Sequence, residues 1–232
     1  MKSEFLYKPT RRGFISALAK GAAALGFGSM ATPLIAKAET LNKKSLPDDP
    51  DAWFAKIKGK HRIVFDATEP KGVFPFAWPR VFLLTNEGTG SPASDCGVVL
   101  VLRHDAIPYA FENKLWEKYK FGEMFKADDP ATKSPATRNP FYKPAKGSFK
   151  FPGVGEVAIG IDELQASGVM ICVCEAAMTV YSAGAADKMG MTAADVRKEW
   201  VAGLLPGIQP VPSGVWALGR AQEHGCAYCA VH

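Results

Sequence analysis

The sequence predicts an α/β domain on a mostly parallel sheet of about five strands with helices on both faces. Three observations carry this. Short apolar runs alternate with stretches of helical spacing from residue 61 to the end of the chain, the order that builds parallel sheets through right-handed crossovers. The runs at 97–104 and 169–174 are almost unbroken in Val, Ile, Leu and Cys, as strands covered on both faces are. Gly and Pro cluster between the runs rather than inside them, which places turns there.

Taken in order, a short helix is expected at 51–57, then a strand at 61–68 and a helix over 76–85. Gly88, Gly90 and Pro92 make 86–94 a loop. The strand at 97–104 follows, and Ile107, Phe111, Leu115, Trp116 and Tyr119 have the spacing of one helix over 107–125. Residues 126–156, with Pro130, Pro135, Pro140, Pro144 and Pro152, break the pattern. A loop of about 30 residues exceeds ordinary connections and points to a lid, a binding surface or a partner contact. A helix at 161–167, a strand at 169–174 and a helix at 176–189 come next. Thr192 fits an N-cap for a helix reaching Trp200. A strand at 208–211, a helix at 214–224 and a strand at 226–231 complete the domain.

The ends and the charge bound the setting. Residues 1–38 have a basic start, an apolar Ala/Gly-rich stretch and a small-residue exit at Ala36-Lys37-Ala38, the three parts of an export signal. Thr10-Arg11-Arg12-Gly13-Phe14-Ile15 is similar to the twin-arginine signature, so the expected location is the periplasm, with 39–60 as a tether. Lys20 and four glycines make 13–35 a poor membrane span, so the processed form is not expected to cross a membrane. Six of the 28 Lys and Arg and one of the 23 acidic residues lie in the signal, which leaves 22 of each. Zero formal charge removes the argument for nucleic acid. No Walker loop, dinucleotide glycine fingerprint or Gly-x-Ser-x-Gly elbow is present, and no cofactor is indicated.

Five cysteines survive processing: Cys96, Cys172, Cys174, Cys226 and Cys229. Disulfides persist in an oxidising compartment, but an odd number leaves at least one thiol unpaired. In a parallel sheet, reactive groups gather beyond the carboxyl ends of the strands, where strand order reverses. That rule selects Cys174, at the end of one strand and the start of a helix, and His104, at the end of another. A thiolate is favoured by helix-start N–H groups. Against this, cysteine is among the most buried residue types. Cys172 shares a face with Cys174 two residues deeper, where packing is the plainer role. His104 can equally be an ordinary hydrogen-bonded loop residue, and Cys96 a structural one. Cys226 and Cys229 have the spacing of a redox or metal pair, with His224 and His232 as the nearest further ligands. Their strand setting turns them to opposite faces and no second pair completes a site. A bond from one of them to Cys96 or Cys172 is the alternative.

Several segments together resemble the DsrE/DsrF-like sulfur-relay family: Glu163-Leu164-Gln165-Ala166-Ser167-Gly168, the strand ending in Cys174, Leu204-Leu205-Pro206-Gly207, Val211-Pro212-Ser213-Gly214 and Gln222-Glu223-His224-Gly225-Cys226-Ala227-Tyr228. The resemblance covers 161–229 closely and implies a three-layer flavodoxin-like domain assembled as a homo-oligomer of the trimer or hexamer type. It also implies a persulfide on Cys174, with His104 where some members place a polar site residue. The partners would then be small sulfur species or a sulfur-donor protein, and the activity that of a carrier or sulfurtransferase. Export, Cys226 and Cys229 depart from the family pattern. The alternative is a non-catalytic binding or assembly subunit whose cysteines are structural or hold a metal.

Overall fold

The computed structural model describes residues 49–231. The expected signal at 1–38, the expected tether as far as residue 48 and His232 lie outside the described residues. Five parallel strands form the main sheet: β1 (His61–Ala67), β2 (Cys96–Leu102), β5 (Met170–Cys174), β6 (Gln209–Val211) and β7 (Ala227–Val231). Their order is β6-β5-β2-β1-β7. The domain is a three-layer α/β sandwich of flavodoxin-like type. By chain rank its strands run 4-3-2-1-5, where flavodoxin itself runs 2-1-3-4-5.

That order fixes the layers. The chain steps from β1 to β2, β5 and β6 in one direction, and successive right-handed crossovers in one direction place their helices on one face. This face carries α2 (Phe74–Gly88), α3 (Asn113–Tyr119), α4 (Phe121–Met124), α5 (Ile161–Ala166), α6 (Glu175–Met189) and α7 (Ala193–Ala202). It buries Phe65, Leu100, Leu102, Ile171 and Val173 of the sheet under Phe111, Trp116, Phe121 and Trp200. The return from β6 to β7 crosses back over the sheet, so α8 (Gly214–Glu223) covers the other face, helped by α1 (Asp51–Phe54). There Val64, Val99, Val101, Cys172 and Val211 meet Phe54, Ala217 and Ala221. Alternation places apolar neighbours along β1, β2 and β5 in opposite cores as far as Val173.

Local capping explains where three of the helices begin. The Cys174 sulfur accepts from Ala177 N–H to start α6, Thr192 Oγ1 accepts from Asp195 N–H to start α7, and Ser213 Oγ accepts from Trp216 N–H to start α8. Gly190, at φ 63°, ends α6 in the left-handed conformation.

One expectation is corrected. The single helix over 107–125 is instead a 3₁₀ turn at His104–Ala110, then α3, then α4. Pro108 lies in the turn, Phe111 is extended, and Lys120 adopts φ 52°, which breaks the helical path although Ile107, Phe111, Leu115, Trp116 and Tyr119 are all buried as the spacing required. The long segment at 126–156 is anchored to the core around Asn139 and Phe141. The buried Asn139 side chain donates to Tyr109 O and Phe111 O and accepts from Phe141 N–H, Phe141 is fully buried, and β3 (Lys150–Phe151) pairs with β4 (Gly155–Glu156) in a short hairpin.

Candidate functional site

Beyond the carboxyl ends of β2, β5 and β6 lies an open cavity of about 330 Å³, lined by Arg103 and His104, by Cys174 with the first turns of α6, and by Ser213, Gly214 and Val215 at the start of α8. Cys174 and His104 are therefore brought to one place, because β2 and β5 are neighbours. Strand order reverses elsewhere. The last strand pairs with the first, so the reversal falls between β1 and β7 rather than beside Cys174; a strand order of this kind follows from long-range pairing, which local sequence does not state.

Cys174 ends β5 and caps α6. Its Sγ lies 3.3 Å from the N–H of Ala177, and the residue is 6% exposed, opening onto the cavity rather than sealed from it. Alternation alone would leave it in the core of Cys172. The turn into α6 instead groups it with Val173 and Met178 on the opposite side, while Cys172 stays fully buried in the α8-facing core. Burial pushes the Cys172 thiol well above its ordinary value, which makes it inert. Glu175, the residue after Cys174, is buried and ion-paired with Arg197 of α7, so its charge at the helix start is compensated.

Three groups that sequence reasoning missed form one network, which reaches the cavity through Arg103. Arg103 donates through Nε to Asp66 Oδ1 at 2.6 Å and through Nη2 to Asp66 Oδ2 at 2.8 Å. Asp66 is buried on β1, and Tyr228 of β7 donates its hydroxyl to the same Oδ2 at 2.8 Å. The hydrogen bonds to Asp66, above all, raise the Arg103 guanidinium further above its usual value against the opposing effect of burial, and Cys174 adds to the rise. Tyr228 is raised for the same first reason. The hints were present in the sequence: one acid inside an apolar strand, and an arginine directly before His104.

His104 begins the 3₁₀ turn two residues past the end of β2, with φ 51°. Its side chain is 63% exposed, with Nδ1 3.3 Å from Asp105 Oδ2. Tyr181 of α6 donates its hydroxyl to Asp105 Oδ1 and sets its ring edge-on to the imidazole at 6.1 Å. Burial first, and the Asp105 bond second, hold the Tyr181 phenol protonated above its ordinary range.

The remaining cysteines do not assemble a centre. All five thiols are free, so a bond from Cys226 or Cys229 to Cys96 or Cys172 is not formed. Cys226 is buried in the α8-facing core and Cys229 packs against the other, the outcome of strand alternation at that spacing. His224 stacks on Phe54 at 6.5 Å. Among the described residues no group of three His, Cys, Asp or Glu side chains is placed to hold a metal ion. None of the described helices is long and apolar enough to cross a membrane.

No family model matches the chain, and no curated protein does. Among solved structures, a protein of unknown function from Methanobacterium thermoautotrophicum is similar over 74% of this chain and 100% of its own, at 17% identity and a TM-score of 0.34. A likeness of that size carries no argument.

Proposed function

We propose that this protein is a sulfur carrier of the DsrE/DsrF-like type that holds sulfane sulfur as a persulfide on Cys174. The observation that carries the reading is the position of that sulfur: it sits at a strand-to-helix junction, takes a helix-start N–H at 3.3 Å, and faces a cavity it shares with Arg103 and His104.

Loading from a donor persulfide R–S–SH balances without an added oxidant. The Cys174 thiolate attacks the outer sulfur, the donor S–S bond breaks, R–S⁻ leaves, and the protein holds Cys174–S–SH. Unloading is the same exchange in reverse. His104, with Nδ1 directed to Asp105, has its other nitrogen free to take the Cys174 thiol proton and hand it to the departing thiolate. The twin-arginine-like segment at 10–15 supports a periplasmic setting for this work, and a homo-oligomer is the assembly that accompanies the family reading.

Mass spectrometry of the purified protein after treatment with a persulfide donor tests it. The expected result is one extra sulfur atom on the Cys174 peptide, lost in Cys174→Ser. Full labelling retained in that variant, or labelling confined to another cysteine, sinks the reading. A stoichiometric partner or bound metal with no sulfur on Cys174 favours the binding-subunit alternative instead.

A further inference from the structure

We propose that the donor for Cys174 is a small sulfane-sulfur oxyanion of the thiosulfate class, bound at its sulfonate end by Arg103. This rests on the carrier reading of Cys174 and names its substrate. The cavity walls are apolar through Ala176, Ala177, Val180 and Val215, and its one cation is Arg103, with no carboxylate in the lining. Such a lining repels a cationic or bulky polar donor and leaves one place for negative charge.

Arg103 is fixed for that role. Two of its N–H groups are committed to Asp66, whose carboxylate is itself held by Tyr228, so the guanidinium cannot swing out of the wall. Neither bond uses Nη1. Gly214 lies so close that a Cβ there would stand 2.5 Å from the Arg103 Cβ, so only glycine lets the start of α8 approach the arginine. The starts of α6 and α8 thus meet over the same cavity, and their partial positive charges add to that of the guanidinium. A volume of about 330 Å³ is at the small end for a ligand site.

The transfer balances as written. The Cys174 thiolate attacks the outer sulfur of S₂O₃²⁻, the bond from that sulfur to the sulfonate sulfur breaks, and its electron pair leaves with sulfite. Cys174 keeps the outer sulfur as Cys174–S–S⁻. Charge grows on the sulfonate oxygens as sulfite departs, where a pre-placed guanidinium stabilises it most.

The test compares two donors on the purified full chain: thiosulfate, and the uncharged hydropersulfide of 2-mercaptoethanol. Wild type is expected to load from both. Arg103→Met is expected to lose about 100-fold in the rate with thiosulfate, the scale for removing one charge-stabilising donor. Its rate with the uncharged donor should fall by much less, since no oxyanion is then involved. Arg103→Lys, which keeps charge but not the fork, falls between the two with thiosulfate. An equal loss with both donors makes Arg103 structural and overturns the proposal. Loading of wild type by the uncharged donor alone overturns it while the carrier reading stands; loading by neither removes both. Should Arg103→Met fail to fold, the wild type still decides. Sulfate, an unreactive oxyanion, should slow alkylation of Cys174 by iodoacetamide and do so saturably; no protection overturns the proposal.

Discussion

Arg103 and Asp66 meet fork to fork, at 2.6 and 2.8 Å, from adjacent parallel strands whose register pairs Asp66 with Val101. The carboxylate is almost fully buried and the guanidinium about three-quarters so. Removing one member strands the other. Asp66→Asn is therefore expected to lower stability by about 2–4 kcal/mol, read from urea denaturation, while Tyr228→Phe costs about 1 kcal/mol because only one hydrogen bond to the carboxylate goes. Equal effects would show that Tyr228 and Arg103 share the burden of Asp66.

Two glycines of α8 should respond in opposite directions to the same substitution. A Cβ at Gly214 collides with the Arg103 side chain, whereas one at Gly219 meets nothing within 4 Å. Gly219→Ala should raise stability by about 0.5–1 kcal/mol through helix propensity alone. Gly214→Ala should lower it by about 1–3 kcal/mol and slow persulfide loading with it. Thermal melts of the two variants side by side check this.

Thiol reactivity should divide the five cysteines. Cys172 and Cys226 are buried and their thiols are raised by desolvation, so both should resist iodoacetamide in the native protein and react on unfolding. Cys174 should react natively through its cavity, as should the partly exposed Cys96 and Cys229. Peptide mapping after timed alkylation gives the order; rapid native labelling of Cys172 would contradict the sheet packing.

Stability should fall at alkaline pH. The phenols of Tyr109, Tyr119 and Tyr181 are all held above the ordinary value, by burial first in each case. Above about pH 10 the unfolded chain gives up these protons while the folded one keeps them, so the stability they contribute is complete below that pH and lost as pH rises through the folded values. Tyr109 has the further feature that its buried hydroxyl lacks a hydrogen-bond partner among the described residues. Tyr109→Phe should thus raise stability at neutral pH by about 1 kcal/mol and soften the alkaline decline, both measurable in denaturation midpoints across pH.

Much of the fold was legible because its strands are buried on both faces. Runs such as Val98 to Leu102 and Ile171 to Val173 have no polar face to hide, and their predicted limits differ from the observed ones by a residue or two. Cys174 was legible for the same reason: it is where an apolar run meets a helix start. Lys120 was not. Apolar spacing records which side chains are buried and is blind to one left-handed backbone residue between two short helices. The setting of Arg103 was not legible either, since its meaning depends on Asp66, 37 residues earlier, and on Tyr228, which reaches that same aspartate across 162 residues. Contacts of that span are decided by strand order, and the strand order here turns on the final strand choosing the first as its neighbour.

That choice has a consequence for synthesis. β1 is among the first elements to leave the ribosome and its outer edge is covered only by β7, the last. Until the final residues emerge, the nascent chain carries an open strand edge on which Asp66 still lacks Tyr228. A chain cut short before Tyr228 would keep that edge bare, ready to pair with the same edge of another such chain. β7 thus completes two things at once, the sheet edge beside β1 and the hydrogen-bond network of Asp66.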